Sequence, residues 1–158
     1  MPLLLQLPIW LALYRLLADT AAGAPVGAMS TELVASLGAA TLLGVPLAAR
    51  GYVGAGWTHL AVVAGIACVT AAVTYFTQKH LVTPNLVTAD LPEMVARTQQ
   101  LMPLLSALGL VVAGGVVPLA MLVYWTCNAL WTCGQSAVIC RWFPTPGSPA
   151  AKSATMRP

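Results

Sequence analysis

Charge is what this sequence has least of. Seven Lys and Arg and four Asp and Glu are spread over 158 residues, so only 7% of the chain is charged. Soluble domains carry about 25%. Too little polar surface is left to coat a water-exposed globule. The excess of three positive charges is too small for the electrostatic footprint of a nucleic-acid binder. Histidine occurs only at His59 and His80, at opposite ends of one apolar segment. The two cannot share a metal ion, and each reads as an interfacial residue. Cys68, Cys127, Cys133 and Cys140 form neither a CxxC nor a His-Cys cluster. A zinc site or disulfide framework is thereby disfavoured, and the cysteines read as small apolar residues within a membrane. There is no Ser-His-Asp or HExxH arrangement and no glycine-rich phosphate loop. The sequence therefore points away from an enzyme, and no cofactor is expected. The N-terminal apolar run lacks a basic flank and contains Gln6, Pro8 and Arg15, which does not fit a cleavable signal peptide.

What is present is apolar. Hydrophobic residues make up 59% of the chain, and the mean hydropathy is +0.83. The expected fold class is all-α: a polytopic membrane helical bundle. Four spans are expected, at about 2–18, 58–77, 101–115 and 119–140. The last two share a charge-free run from Leu101 to Cys140. At about 1.5 Å per residue that run would cross a hydrocarbon core twice, so it must fold back. Gly114, Gly115 and Pro118 mark the turn, because glycine is conformationally free and proline lacks an N–H.

A fifth apolar segment, Leu33 to Ala49, is rich in Ala and Gly and interrupted by Pro46. Ser30 or Thr31 suits its N-cap, and Glu32 its first turn. The positive-inside rule decides how to read it. With four spans, Lys79, Arg97, Arg141, Lys152 and Arg157 share one side, while Asp19 and Arg50 lie opposite. Five spans would put those five cations outside. Residues 30–50 are therefore expected to hold an interfacial helix on the outer face, with both termini cytoplasmic. Residues 1–142 form the membrane domain, and 143–158 a Pro/Ser/Ala-rich tail expected to lack order.

Polar side chains fall into patterns. At about 100° per residue, Tyr124, Asn128, Trp131 and Gln135 share one helical stripe about 16 Å long, flanked by Trp125 and Thr132. Thr70, Thr74 and Thr77 share another, with Gln78 beside it, and Gln6, Trp10 and Tyr14 progress along the first span. The third span offers almost nothing polar beyond Ser106. Such residues often act as glue between helices or as interfacial anchors. Asn128 and Trp131 lie too deep for an interfacial belt, and deep polar residues usually face a bundle interior or a water-filled cavity. Stripes on several helices point to a hydrated groove.

These segments resemble a known family. LLLQLPIWLALYRLL (Leu3 to Leu17), TYFTQKH (Thr74 to His80) and LMPLL (Leu101 to Leu105) are similar to segments of the YidC/Oxa/Alb family of membrane protein insertases. So is the run from Pro118 through Leu122-Val123-Tyr124-Trp125, Asn128, Leu130-Trp131-Thr132 and Gly134-Gln135. The four occur in the family's order and cover about 2–142. The resemblance implies insertion and folding of nascent membrane proteins in the bacterial plasma membrane, without nucleotide or metal. The Sec translocon and the ribosome are implied as further partners. It implies a hydrophilic groove open to cytoplasm and lipid, with Tyr124 and Trp125 as the substrate-contacting aromatic pair and Gln78 as a groove glutamine. The family core also has a preceding span with a groove arginine, then a charged hairpin; the span, its arginine and most of the hairpin find no counterpart here. A start further upstream or a truncated paralogue is the corresponding expectation. A small transporter or channel, or an inactive truncated paralogue, are the alternatives.

Overall fold

The computed structural model describes residues 2–21, 27, 29–54, 56–87 and 92–155, and at 2–6, 10 and 21 the backbone alone. Helices dominate. In order they are α1 (Pro2–Ala21), α2 (Thr31–Ala39), α3 (Trp57–Phe76), α4 (Glu93–Gly114), α5 (Leu119–Trp142) and α6 (Pro149–Thr155). Two-residue strands β1 (Thr41–Leu42) and β2 (Val45–Pro46) follow α2. Trp57–Asn85 and α4 are each long and apolar enough to cross a bilayer. Only 28% and 6% of their apolar windows are buried within the chain, unlike the core helices of a soluble protein. Residues 1–67 with 112–124 form one compact unit, and 68–111 with 125–158 a second.

In the first unit, α2 starts where the sequence predicts. Ser30 Oγ accepts the Leu33 N–H at 3.3 Å, and Glu32 lies in the positive first turn. The helix then stops early. The expected helix over the 30–50 segment is only nine residues long, because the chain turns back at Leu43-Gly44 and pairs Leu42 with Val45. Both turn residues have positive φ, 52° and 80°, as a type I′ turn requires. For a leucine this left-handed conformation costs roughly 1–2 kcal/mol. Pro46 closes off a helical continuation, since it cannot donate to a preceding carbonyl.

Beyond the hairpin, residues 47–59 tie three elements together. The Leu119 and Ala120 N–H groups, at the start of α5, donate to the carbonyls of Ala49 (2.9 Å) and Leu47 (3.0 Å). These are donors that a helix start would otherwise leave unpaired. Arg50 pairs with Pro118 in an isolated antiparallel bridge, and its guanidinium lies 5.5 Å from the Tyr14 ring centroid. Gly51 has φ +70°, and a β-carbon there would lie 2.6 Å from the Gly115 carbonyl oxygen. Tyr52 lies against Gly114 and Gly115, the glycines that end α4. His59 Nε2 lies 2.9 Å from the Gly51 carbonyl. A carbonyl only accepts, so the proton sits on Nε2. His59 is buried within the chain. Leu17, Val34, Val45, Val63, Leu119 and Leu122 supply the apolar core.

In the second unit, α3 continues from Thr77 to Val82 as a π-helix and then as a 3₁₀ turn over Thr83–Asn85. Helix α4 begins eight residues before the apolar run, at Glu93. Pro92 accepts the Val95 and Ala96 N–H groups, and Glu93 pairs with Arg97 at 2.8 Å. Both side chains are exposed, so that pair contributes little. The tail carries a short helix where none was expected. Buried Ser148 caps α6, its Oγ accepting the Ala151 N–H at 3.2 Å. Asn85 Oδ1 accepts the Thr145 N–H at 2.7 Å.

Candidate functional site

The polar residues of α3 do not act as one row. Thr70 is buried and shares a 2.6 Å hydroxyl–hydroxyl hydrogen bond with Thr126 of α5. Thr74, one turn on, is half-buried. Thr77 is buried and turns inward on its own helix, donating to the Val73 carbonyl at 2.7 Å. Gln78 is half-buried, and its Nε2 donates to Ser106 Oγ of α4 at 3.1 Å. Thus α3 holds α5 through a hydroxyl and α4 through an amide, about two turns apart. Gln78 sits where the helix widens to π geometry, an arrangement frequent at functional positions.

Helix α5 is divided lengthwise. Below Leu119 and Leu122, which are fully buried, Thr126, Ala129, Cys133, Ser136 and Cys140 are partly covered. Their three- and four-residue spacing defines one face, of small residues that let helices approach closely. Asn128, Thr132 and Gln135 are exposed, and Trp131 is 67% exposed. Asn128 lies about 160° around the helix from Thr126. The sequence-derived stripe therefore exists as a face of α5, but it is turned away from the contact with α3. Tyr124 and Trp125, at its upper end, are half-buried. The Gln6 side chain lies outside the described residues.

Sequence reasoning passed over Thr126. Its signal was available: Thr126 lies four residues after Leu122 and seven before Cys133, on the small-residue seam. Hydrogen bonds between membrane helices contribute about 1 kcal/mol. Thr126→Val keeps the shape and removes the hydroxyl. It is expected to destabilise the protein by about 1 kcal/mol, with Thr70→Val and the double variant showing a non-additive cycle. Reversible unfolding in detergent or bicelles measures it. Additive single effects would show that the two hydroxyls are not coupled.

The arrangement supplies hydroxyls, amides and indoles along two long helices. Among the described residues, no group of three or more His, Cys, Asp or Glu is placed to hold a metal ion. These groups can hydrogen-bond water or a peptide, and they can hold apolar chain against aromatic surface.

The comparisons with known proteins bear on the whole chain. The family model described as "60Kd inner membrane protein" matches residues 1–146. The membrane protein insertase YidC of Streptomyces avermitilis is 33% identical over 159 aligned positions, covering 95% of this chain. The chain spans 37% of that relative's length. No solved structure matches the chain.

Proposed function

Since the chain belongs to the YidC/Oxa family of 60Kd inner membrane proteins, we propose that it inserts nascent membrane proteins into the bacterial plasma membrane and helps them fold. In this reading α1, α3, α4 and α5 are the four spans, α2 and its hairpin lie on the outer face, and both termini are cytoplasmic. Residues 1–142 are the insertase domain. No bond is made or broken, so the activity is not enzymatic. The Sec translocon and the ribosome are the partners such work calls on.

The observation that carries the proposal is the uncovered face of α5. Asn128, Trp131, Thr132 and Gln135 are exposed on a helix without charge between Leu119 and Cys140. An amide facing bare hydrocarbon without a partner costs several kcal/mol. That face is therefore stable only against water or a polar partner. A hydrated face at mid-depth shortens the apolar distance that a substrate's polar flank must cross, and the cost of that crossing is what opposes insertion. The drive comes from the substrate's apolar segment, about 25 cal/mol per Å² removed from water. Thr74 and Gln78 offer further polar groups on the α3 side. Tyr124 and Trp125 offer apolar surface beside the α5 face.

A photoreactive residue at position 125 or 131 tests the reading during synthesis of a single-span substrate. Adducts with the substrate are expected at both positions. Adducts absent there, yet present at lipid-facing Val112, would remove the insertase reading. Hydration is checked separately. With the four native cysteines replaced, Gln78→Cys and Asn128→Cys are expected to react with a water-soluble maleimide added from the cytoplasmic side. Persistent non-reactivity at both would mean dry contacts between helices.

A further inference from the structure

We infer that the Leu43-Gly44 turn is a lipid-contacting loop, seated in the interfacial layer of the bilayer at the end where α3 and α5 begin. The inference rests on the membrane reading of the helices and not on insertase activity.

The first observation is a conflict at the hairpin tip. Leu43 holds φ 52°, a conformation that favours Gly, Asn or Asp, and its side chain is 74% exposed. A bulky apolar residue is placed where the backbone resists it, and the folded chain offers it little apolar contact in return. Immersion in a second apolar phase would supply that contact.

The second observation sets the depth. The hairpin runs into Leu47 and Ala49, whose carbonyls hold the first N–H groups of α5. One residue later, Arg50 bridges Pro118, and the Gly51 carbonyl is held by His59 in the first turn of α3. The hairpin is therefore fixed by backbone bonds at the level where two long helices start. A loop tied there lies at a membrane boundary and is not free in water.

The third observation is composition. From Leu33 to Ala49 there are seventeen residues without a charge, flanked by Glu32 and Arg50. The neighbouring exposed residues are also apolar: Val53 is 96% and Trp57 86% exposed. Trp57 is the first residue of α3, and tryptophan at a span end is a usual interfacial anchor. The apolar tip, the charge-free stem and the indole match the amphiphilic character of a phospholipid interface. They are not a headgroup-specific site, because the sequence from Leu33 to Trp57 holds no Lys or Arg other than Arg50.

The test uses the full chain with its four cysteines replaced, Leu43→Cys carrying an environment-sensitive fluorophore, and Glu32→Cys as the water-exposed reference. The exposed Leu43 side chain makes this substitution tolerable to the fold. In phosphatidylethanolamine/phosphatidylglycerol vesicles, emission from position 43 should be blue-shifted relative to position 32. It should be quenched by lipids carrying a nitroxide near the headgroup, more than by lipids labelled at the chain end. Iodide quenching should be several-fold weaker than at position 32. In native membranes, the unlabelled Leu43→Cys should react several-fold more slowly than Glu32→Cys with an impermeant maleimide. Iodide quenching equal to the reference would overturn the inference by placing the tip in water. Protection from both lipid nitroxide and iodide would overturn it too, by placing the tip against protein such as a second copy of the chain.

Discussion

Gly51→Val will prevent the folded protein from accumulating in membranes. Gly51 has φ +70°, and an added β-carbon would meet the Gly115 carbonyl oxygen at 2.6 Å. That oxygen is backbone, in the turn that ends α4, so no side chain can swing aside. The left-handed conformation alone costs an L-residue roughly 1–2 kcal/mol. Forcing the backbones apart adds a further 1–3 kcal/mol or so. The Gly51 carbonyl also holds His59, so displacement breaks a buried hydrogen bond, another ~1 kcal/mol. A loss of several kcal/mol is a large part of a typical total stability of about 5–15 kcal/mol. Gly44→Ala provides the control. Gly44 shares the positive φ, at 80°, but has no atom within 4 Å of an added β-carbon, so only the conformational part applies. Fluorescent-fusion accumulation and thermal unfolding of the two variants measure the difference. Equal behaviour would mean that the 47–59 segment does not press on the α4–α5 turn.

Tyr124→Ala and Trp125→Ala are expected to lower the rate of substrate insertion about ten- to thirtyfold, while the protein still accumulates. A large aromatic buries 150–250 Å² when fully covered. Both residues are largely covered, which leaves about 50–80 Å² each for a passing substrate. At about 25 cal/mol per Å², that is roughly 1.3–2 kcal/mol. Leu122→Ala is the packing comparison: Leu122 is fully buried, and its truncation should cost about 2–5 kcal/mol of stability without a selective effect on insertion. If the two aromatic variants behave like Leu122→Ala, they are packing residues and the substrate-contact role falls. Reconstituted insertion of a single-span substrate, normalised to folded protein, separates the two.

Much of the helical order was legible from the sequence. Gly114, Gly115 and Pro118 marked a break between helices, and the structure ends α4 at Gly114 and starts α5 at Leu119. Hydropathy read α3 to within a residue at its start, because a charge-free apolar run has one low-energy form in lipid. It misjudged α4, whose first turns are polar and owe their start to Pro92 and Glu93, outside the apolar window. It also missed the hairpin: Leu43-Gly44 lacks the usual Asn-Gly or Asp-Gly signature, and Ala, Leu and Val over 33–49 suit a helix as well. On α5 the spacing gave the polar face but not its direction. Which face is covered depends on where Thr126 meets Thr70, a contact 56 residues apart in sequence, and no local pattern encodes it. The π-helical end of α3 was equally illegible, since TQKHLV carries no composition that departs from an α-helical end.

The Asn85–Thr145 bond has a consequence for how the second unit assembles. Its partners are 60 residues apart. In a chain without helices, closing such a loop is entropically expensive for a single hydrogen bond. Once α4 and α5 have formed, most of that intervening length is already rigid helix, and few free residues remain to be closed. The Thr145 amide proton is thus a late reporter. Its slow exchange with deuterium would signal that both helices have formed, with no probe inserted into either.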